Sequence, residues 1–281
     1  MADASARGRA AVRAPVLDSD PILAAPGLRL AGRLRAGFRL PGLVAWTLLC
    51  CLPLAFDALP WQVAAARAPR RARLLRHWAA GMLALLGVRI LRHGHAPARG
   101  CFVATNHLGY LDVLVLASQM EATFVAKHDI AAWPVLGWLS RRFGTVFLDR
   151  ARPRDLVRVF DEIDGVQRQG VSVVIFPEGT SSGGDSVLPF HAGLFEAAAR
   201  SRSPVAVAAL AYATPVGEGP PKLAVCWWGG MTFTPHFLHL LTLRAIEARL
   251  SFSDTPIAPG DRRTLARHAH REVSRLHAGL G

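Results

Sequence analysis

A chain of 281 residues, 51% of them hydrophobic, can bury a sizeable core; a disordered protein is excluded, and the length sets a bound of one large α/β domain or two small ones. The balance of 33 Lys+Arg against 20 Asp+Glu gives a net charge of +13, a field that favours anionic partners such as acidic lipid, a phosphorylated substrate or nucleic acid. A mean hydropathy of +0.26 is high for a freely soluble domain, so some apolar surface either meets lipid or lies deeply buried.

Residues 1–40 are rich in Ala, Arg, Gly and Pro without a sustained period and read as a flexible basic N-terminus. Next comes the apolar run Gly42–Phe56, "GLVAWTLLCCLPLAF", too far from the start for a cleaved signal peptide. It falls short of the ~20 residues of a straight span and contains Pro53, so an interfacial or re-entrant helix, a single span and a buried core helix all stay open. From Arg67 to Arg92 arginines cluster at both ends of an apolar centre, and Leu75, Trp78, Met82 and Leu86 recur at helical spacing. That stripe suits a helix lying on anionic lipid as well as one packed on the protein's own core. Together, residues 41–87 form the expected membrane-associating helical segment.

Beyond it, residues 88–281 alternate strand-like and helix-like segments. Strands are expected at 88–94, 101–106, 144–150, in "VSVVI" before the FPEGT turn, at 205–212, 223–228 and 249–253. Helices are expected near 111–120, between Pro153 and Gly170, and in the tail behind Asp261 as N-cap. This order indicates an α/β domain: a single mixed, largely parallel β-sheet flanked by helices. Cys50, Cys51, Cys101 and Cys226 show neither zinc-site nor disulfide spacing; they read as small buried hydrophobes in a reducing compartment, with no metal expected.

The chemistry gathers at strand ends, where sites on α/β sheets form. "NHLGYLD" (106–112) places His107 directly after an apolar strand and Asp112 five residues on. A continuous helix would point the two about 140° apart, whereas a turn at Gly109 followed by the first helical turn would bring the carboxylate back to the imidazole. There it would fix the ring's tautomer and stabilise the imidazolium. "FPEGTSS" (176–182) offers a carboxylate, backbone N–H groups and hydroxyls that can hold a polar headgroup, although such a turn is also ordinary connection chemistry. Neither Ser181 nor Ser182 lies in a G-x-S-x-G elbow, which disfavours a serine hydrolase. Without a serine nucleophile, the attacking hydroxyl would belong to the substrate, deprotonated by His107 for direct attack on an acyl thioester.

The motif N-H-x-x-x-x-D, a strand ending Phe147-Leu148-Asp149-Arg150, F-P-E-G-T and a later apolar strand after Pro204, in this order, resemble the glycerolipid acyltransferase family. Its best-known members are the 1-acylglycerol-3-phosphate O-acyltransferases. The resemblance implies His107 as catalytic base with Asp112 as its partner, and Asn106, Arg150, Glu178, Gly179 and Thr180 on the substrate's side, the last four for the acceptor's headgroup. Lys127, in "AKHDI" after the next strand, is implied for phosphate or CoA. No bound cofactor is implied; acyl-CoA or acyl carrier protein would be the donor substrate. The first-choice reaction is conversion of 1-acyl-sn-glycerol-3-phosphate to phosphatidate at the cytoplasmic face of the inner membrane, by a monotopic or single-pass protein. Two departures bear on the acceptor: Ser181 stands where the family often has Arg, and "SPVAVAALAY" lacks a second proline. "FPEGTSS" with "WWGGMTFTPHFLHLL" (227–241) is similar to the lyso-ornithine lipid branch, which is therefore the alternative. In another class, a non-catalytic peripheral lipid-binding protein would share the charge and the apolar segment but has no use for His107 beside Asp112. A nucleic-acid binder would leave the membrane-like segment and the FPEGT turn unexplained, and none is expected.

Overall fold

The computed structural model describes residues 30–55, 67–149 and 155–281; the expected flexible N-terminus before Leu30 and the implied headgroup ligand Arg150 lie outside them. Helix α1 (Leu30–Ala55) continues through Pro41 and Pro53 and begins ahead of the apolar run, so residues 30–40, expected as part of the flexible N-terminus, are helical. One side, with Leu43, Cys50 and Leu54, is buried; the other exposes Leu30, Leu34, Phe38, Val44, Leu48 and Leu52. By length and composition α1 could cross a membrane. Helix α2 (Arg67–Leu86) turns Leu75, Trp78, Met82 and Leu86 inward, so of the two readings of that stripe the packed one holds.

The two helices interlock through indoles. Trp46 donates from Nε1 to the Trp78 carbonyl at 3.0 Å, and Trp78 donates from Nε1 to Thr47 Oγ1 at 3.0 Å. The Trp46 ring lies directly over Gly81, where a Cβ would stand 2.2 Å from it. A mid-helix glycine costs about 1 kcal/mol of helix propensity relative to alanine, and here that loss is offset by the close approach of α1. At its other end α1 is tied to the catalytic body by arginines: Arg35 donates to the Thr242 carbonyl (2.5 Å) and Arg39 to those of Leu241 (3.0 Å) and Leu243 (2.6 Å).

The body follows as β1 (Val88–His93), β2 (Phe102–Thr105), α3 (Leu111–Gln119), β3 (Ala122–Lys127), a 3-10 turn (His128–Ala132), α4 (Pro134–Phe143), β4 (Val146–Leu148), α5 (Asp155–Arg168) and β5 (Ser172–Ile175). A second 3-10 turn (Ala192–Phe195) then leads through α6 (Glu196–Ser201), β6 (Val205–Ala213), α7 (Pro221–Ala224), α8 (Phe233–Thr242), β7 (Ile246–Phe252) and α9 (Arg262–Ala278). The seven strands form one sheet in the order β1-β7-β6-β2-β5-β3-β4, parallel at every pairing except β6 with β7. Alternation along buried strands feeds two cores. Val103 and Val174 face the layer of α1, α2, α3 and α8, while Phe102, Ala104, Val173 and Ile175 face α5, α6 and α9. Asp261 caps α9 as expected, accepting from the amides of Arg263 (2.9 Å) and Thr264 (3.1 Å).

The expected strand at 223–228 is absent: Pro220 and Pro221 start a helical turn instead, since Pro fixes φ and offers no N–H to a ladder. Val225 and Cys226 owe their burial to the core under α8, not to a strand. The Trp46–Gly81 seat leads to a test of the α1–α2 joint. Gly81→Leu should lower the thermal unfolding midpoint of the full chain in detergent, by an overpacking cost of about 1–3 kcal/mol; an unchanged midpoint would show that Trp46 does not depend on this seat.

Candidate active site

Because β5, β2 and β6 are adjacent and parallel, their C-terminal ends deliver residues to one place. Asn106 and His107 follow β2, Pro177 and Glu178 follow β5, and Tyr212 sits near the end of β6. Asn106 is 1% exposed and clamps the loop to β6: its Nδ2 donates to the Leu210 carbonyl (2.9 Å) and its Oδ1 accepts from the Leu210 amide (2.8 Å). Its carbonyl oxygen and an amide N–H are thus engaged inside the protein, and its place is under the site.

The chain then turns at Gly109, φ +156°, and enters α3, which returns Asp112 to His107. A Cβ at Gly109 would meet the Trp227 amide nitrogen at 2.8 Å, so glycine is needed where the loop passes beneath Trp227. Asp112 has no exposure, and donors surround it. Its Oδ2 lies 2.7 Å from His107 Nδ1 and accepts from the amides of Leu108 (2.6 Å) and Gly109 (2.9 Å), while Oδ1 accepts from the Tyr212 hydroxyl at 2.7 Å. A carboxylate only accepts, so Nδ1 carries the proton of the shared bond and Nε2 is the nitrogen left to act as acceptor. No described residue bonds to Nε2, and the side chain keeps 23% of its exposure. Below the ring, Phe176 stacks at 4.1 Å between centroids and 24°.

Glu178 reaches the same loop from the FPEGT turn, accepting from the His107 amide at 3.1 Å through Oε1. Burial pushes its carboxyl up to about 8, against the opposing pull of the His107 and Leu188 amides. Oε2 has no partner of hydrogen-bond geometry, although the Leu188 amide is near enough to weigh on the ionisation. Gly179, φ +73°, closes the turn with its amide on the Phe176 carbonyl (3.1 Å), and both it and Thr180 are exposed at the rim. Ser181 donates to the Trp227 carbonyl (2.6 Å), and the Ser182 hydroxyl lies 3.5 Å from the His107 carbonyl as donor. Lys127, at the end of β3, pairs with Asp129 at 2.7 Å on the surface and shares with Phe176 the lining of a small cavity. The structure therefore gathers Asn106, His107, Asp112, Glu178, Gly179 and Thr180 at one place, with Lys127 one ring away.

Sequence reasoning gave no role to Tyr212, Trp227 or Tyr110. Tyr212 is buried, and burial and the Asp112 charge push its phenol well above the ordinary range, so it remains a donor. Tyr110 bonds His236 Nδ1 at 2.9 Å, and burial lowers that imidazole to about 4, leaving it neutral. Around Tyr110 stand Trp227, Phe233 and Phe237, an aromatic wall beside the His107 loop. A tyrosine closing an otherwise aliphatic strand was the available signal, since a buried hydroxyl demands a partner. Among the described residues, no group of three or more His, Cys, Asp or Glu side chains could hold a metal ion.

Two stability measurements follow. Tyr212→Phe keeps the ring but strips Oδ1 of its donor, and should cost about 1.5–3 kcal/mol in denaturant unfolding, the range for bonds to charged groups; a loss under 0.5 kcal/mol by the same scale would mean water replaces the hydroxyl. For Glu178 the folded-state value is raised, so its contribution is fully present below the ordinary 4.5 and is lost as pH climbs through about 8. Glu178→Gln cannot ionise, and its melting temperature should gain on wild type progressively between those pH values; parallel curves would contradict the raised carboxyl.

Over residues 88–212 the chain matches the family described as Acyltransferase. It is 36% identical over 221 residues to a lyso-ornithine lipid O-acyltransferase of Rhizobium meliloti (strain 1021), covering 74% of this chain and 73% of that protein. Against a 1-acyl-sn-glycerol-3-phosphate acyltransferase of Neisseria meningitidis serogroup B it is 32% identical over 157 residues, 53% of this chain and 62% of the relative. The crystal structure of the 1-acyl-sn-glycerophosphate (LPA) acyltransferase PlsC from Thermotoga maritima superposes with a TM-score of 0.57 over 87% of this chain and 98% of that one, at 17% identity, a likeness of fold. The matched block runs from β1 to Tyr212 and holds the entire His107, Asp112 and Glu178 constellation; this chain belongs to the acyltransferase family.

Proposed function

We propose that this acyltransferase moves a fatty acyl group from acyl-CoA or acyl carrier protein to the free hydroxyl of a lysolipid held in the membrane, with His107 as general base. The observation that carries this reading is the imidazole pinned through Nδ1 to a fully buried carboxylate at 2.7 Å, with Nε2 left facing outward. Nε2 takes the hydroxyl proton as the lipid oxygen attacks the thioester carbonyl carbon. The resulting tetrahedral adduct collapses by breaking the C–S bond, and the departing thiolate recovers the proton from the imidazolium. Asp112 stabilises the imidazolium between these two transfers. No acyl-enzyme is invoked, which agrees with the Ser181 and Ser182 hydroxyls being directed at backbone carbonyls.

For the acceptor we infer a lyso-ornithine lipid ahead of 1-acyl-sn-glycerol-3-phosphate, the order opposite to the first expectation. Ser181 removes a cation from the turn that would meet a phosphate, and it ties that turn to the Trp227 segment. A relative with 73% of its own length matched carries the lyso-ornithine name. The phosphate reading keeps support from the relative of Neisseria meningitidis and from Arg150, whose guanidinium would suit paired phosphate oxygens. The working position is the cytoplasmic face of the inner membrane, with the apolar face of α1 against anionic lipid and +13 overall charge favouring that surface.

Purified protein given acyl-CoA or acyl carrier protein and a panel of lysolipids should acylate lyso-ornithine lipid fastest. His107→Ala should lose about 10²–10⁴-fold in rate, the usual worth of a positioned base. Full retention of transfer by His107→Ala would sink the mechanism, and a preference for the phosphate-bearing acceptor that collapses in Arg150→Ala would restore the phosphatidate reading. No transfer by folded wild type to any lysolipid would favour a lipid-binding role.

A further inference from the structure

Most of the large apolar side chains exposed among the described residues lie on two segments, Val157, Val216 and Leu238 apart. Eight lie on α1, and three more, Ile130, Val135 and Trp138, stand together on the 3-10 turn and α4 with exposures of 37%, 67% and 47%. Val135 and Trp138 are three residues apart and share the outer face of α4, whose adjoining inner side sends Leu139 and Phe143 into the core. Among the described residues nothing covers the outward face. Its rim is cationic: the Arg142 guanidinium lies 5.4 Å from the centre of the Trp138 ring, and Arg141 reaches back to bond the Ala131 carbonyl ahead of the helix.

Contacts at the two ends of α4 fix where this face lies. At the C-terminal end Phe143 stacks on Trp78 of α2 at 5.1 Å, and Trp78 in turn donates to Thr47 of α1 at 3.0 Å. Helix α4 therefore packs on the same indole of α2 that is bonded to α1. At the N-terminal end Trp133 meets Trp227 edge-on at 6.1 Å, and the Trp227 amide donates to the Leu108 carbonyl at 2.8 Å, next to His107. Helix α4 thus bridges the apolar helix and the loop that carries the base.

We propose that the Val135–Trp138 face of α4 is a second membrane-contact surface, docking on an anionic bilayer beside α1 with Arg142 at the level of the headgroups. An indole with a guanidinium over it suits that boundary, where the ring is apolar on one side and wet on the other and the cation meets lipid phosphate. A protein partner is the competing occupant; the cationic rim and the link through Trp78 to α1, with its own exposed apolar face, favour lipid. The use of this surface rests on the lysolipid reading above: two contacts, unlike one, fix the tilt of the body and keep the aromatic wall beside His107 against the bilayer from which the acceptor comes.

The test binds full-length protein to vesicles of phosphatidylcholine and phosphatidylglycerol whose acyl chains are, or are not, brominated near the headgroup. Bromine should quench wild-type tryptophan emission more than that of Trp138→Phe, the difference being Trp138 itself. Val135→Glu should reduce partition into the anionic vesicles about fivefold or more. Equal quenching in wild type and Trp138→Phe overturns the proposal whatever Val135→Glu does, because a face meant for a protein partner stays out of reach of lipid bromine. Both readouts are independent of acyl transfer, so a chain that acylated no lysolipid would fail the function proposed above and leave this docking result standing.

Discussion

The site depends on the burial of one carboxylate. Asp112 sits at zero exposure, and removing an ionised group from water costs several kcal/mol unless donors replace the lost hydration. The donors come from two sources. His107, Leu108 and Gly109 bend around Oδ2 in a tight loop, and Tyr212 comes from β6 to Oδ1. This requirement sets the loop's shape, and the shape in turn sets the imidazole's orientation. The loop is then locked from outside by the Trp227 amide on Leu108 O, the Ser182 amide on His107 O and the Glu178 carboxyl on the His107 amide. A residue moved by ångströms at any of these points would leave a buried charge short of a donor, which is why the arrangement has little freedom.

The same network explains how the FPEGT turn can belong to the site without supplying a nucleophile. Its serines face carbonyls of the two neighbouring segments, so the turn serves as a clasp between the His107 loop and the Trp227 segment. Glu178, raised to about 8 by burial, is predominantly neutral near pH 7 and places no full negative charge beside Asp112. Two carboxylates can therefore border one loop without mutual repulsion, and the exposed part of the turn, Gly179 and Thr180, is what faces the open side.

What the sequence revealed was local. His107 and Asp112 are five residues apart, and the turn chemistry of Gly109 was enough to suggest their meeting. The alternation of strands and helices was likewise enough for a mostly parallel sheet. Contacts made across the sheet were hidden, because they depend on strand order: Tyr212 is adjacent to Asp112 only because β6 lies beside β2, and Asn106 reads as a substrate ligand until its amide is found on Leu210. Residues 223–228 carry the apolar run of a strand because they are buried under α8, and the proline pair ahead of them is the feature that distinguishes the two. The stripe on α2 was ambiguous since a helix seated on α1 and α3 buries the same spacing that a lipid-lying helix would, and only Gly81 beneath Trp46 separates the two.

Charge illustrates the difference between a composition and a field. The formal +13 includes arginines engaged on backbone carbonyls: Arg76 on Ser118 at the surface, Arg249 on Leu280, and above all Arg35 and Arg39 on the end of α8. A helix C-terminus presents unpaired carbonyls and the negative end of its dipole, so these two guanidinium groups are well matched there. They fasten α1 to one end of a helix whose other end, Phe233 and Phe237, packs on Tyr110 beside the His107 loop. The ten residues of α8 rise about 15 Å, a rigid strut that sets how far the apolar face of α1 can lie from the base. Arginine here acts first as the joint between an apolar helix and the catalytic body, while outward arginines, such as Arg142 over Trp138, are the ones placed to meet a partner directly.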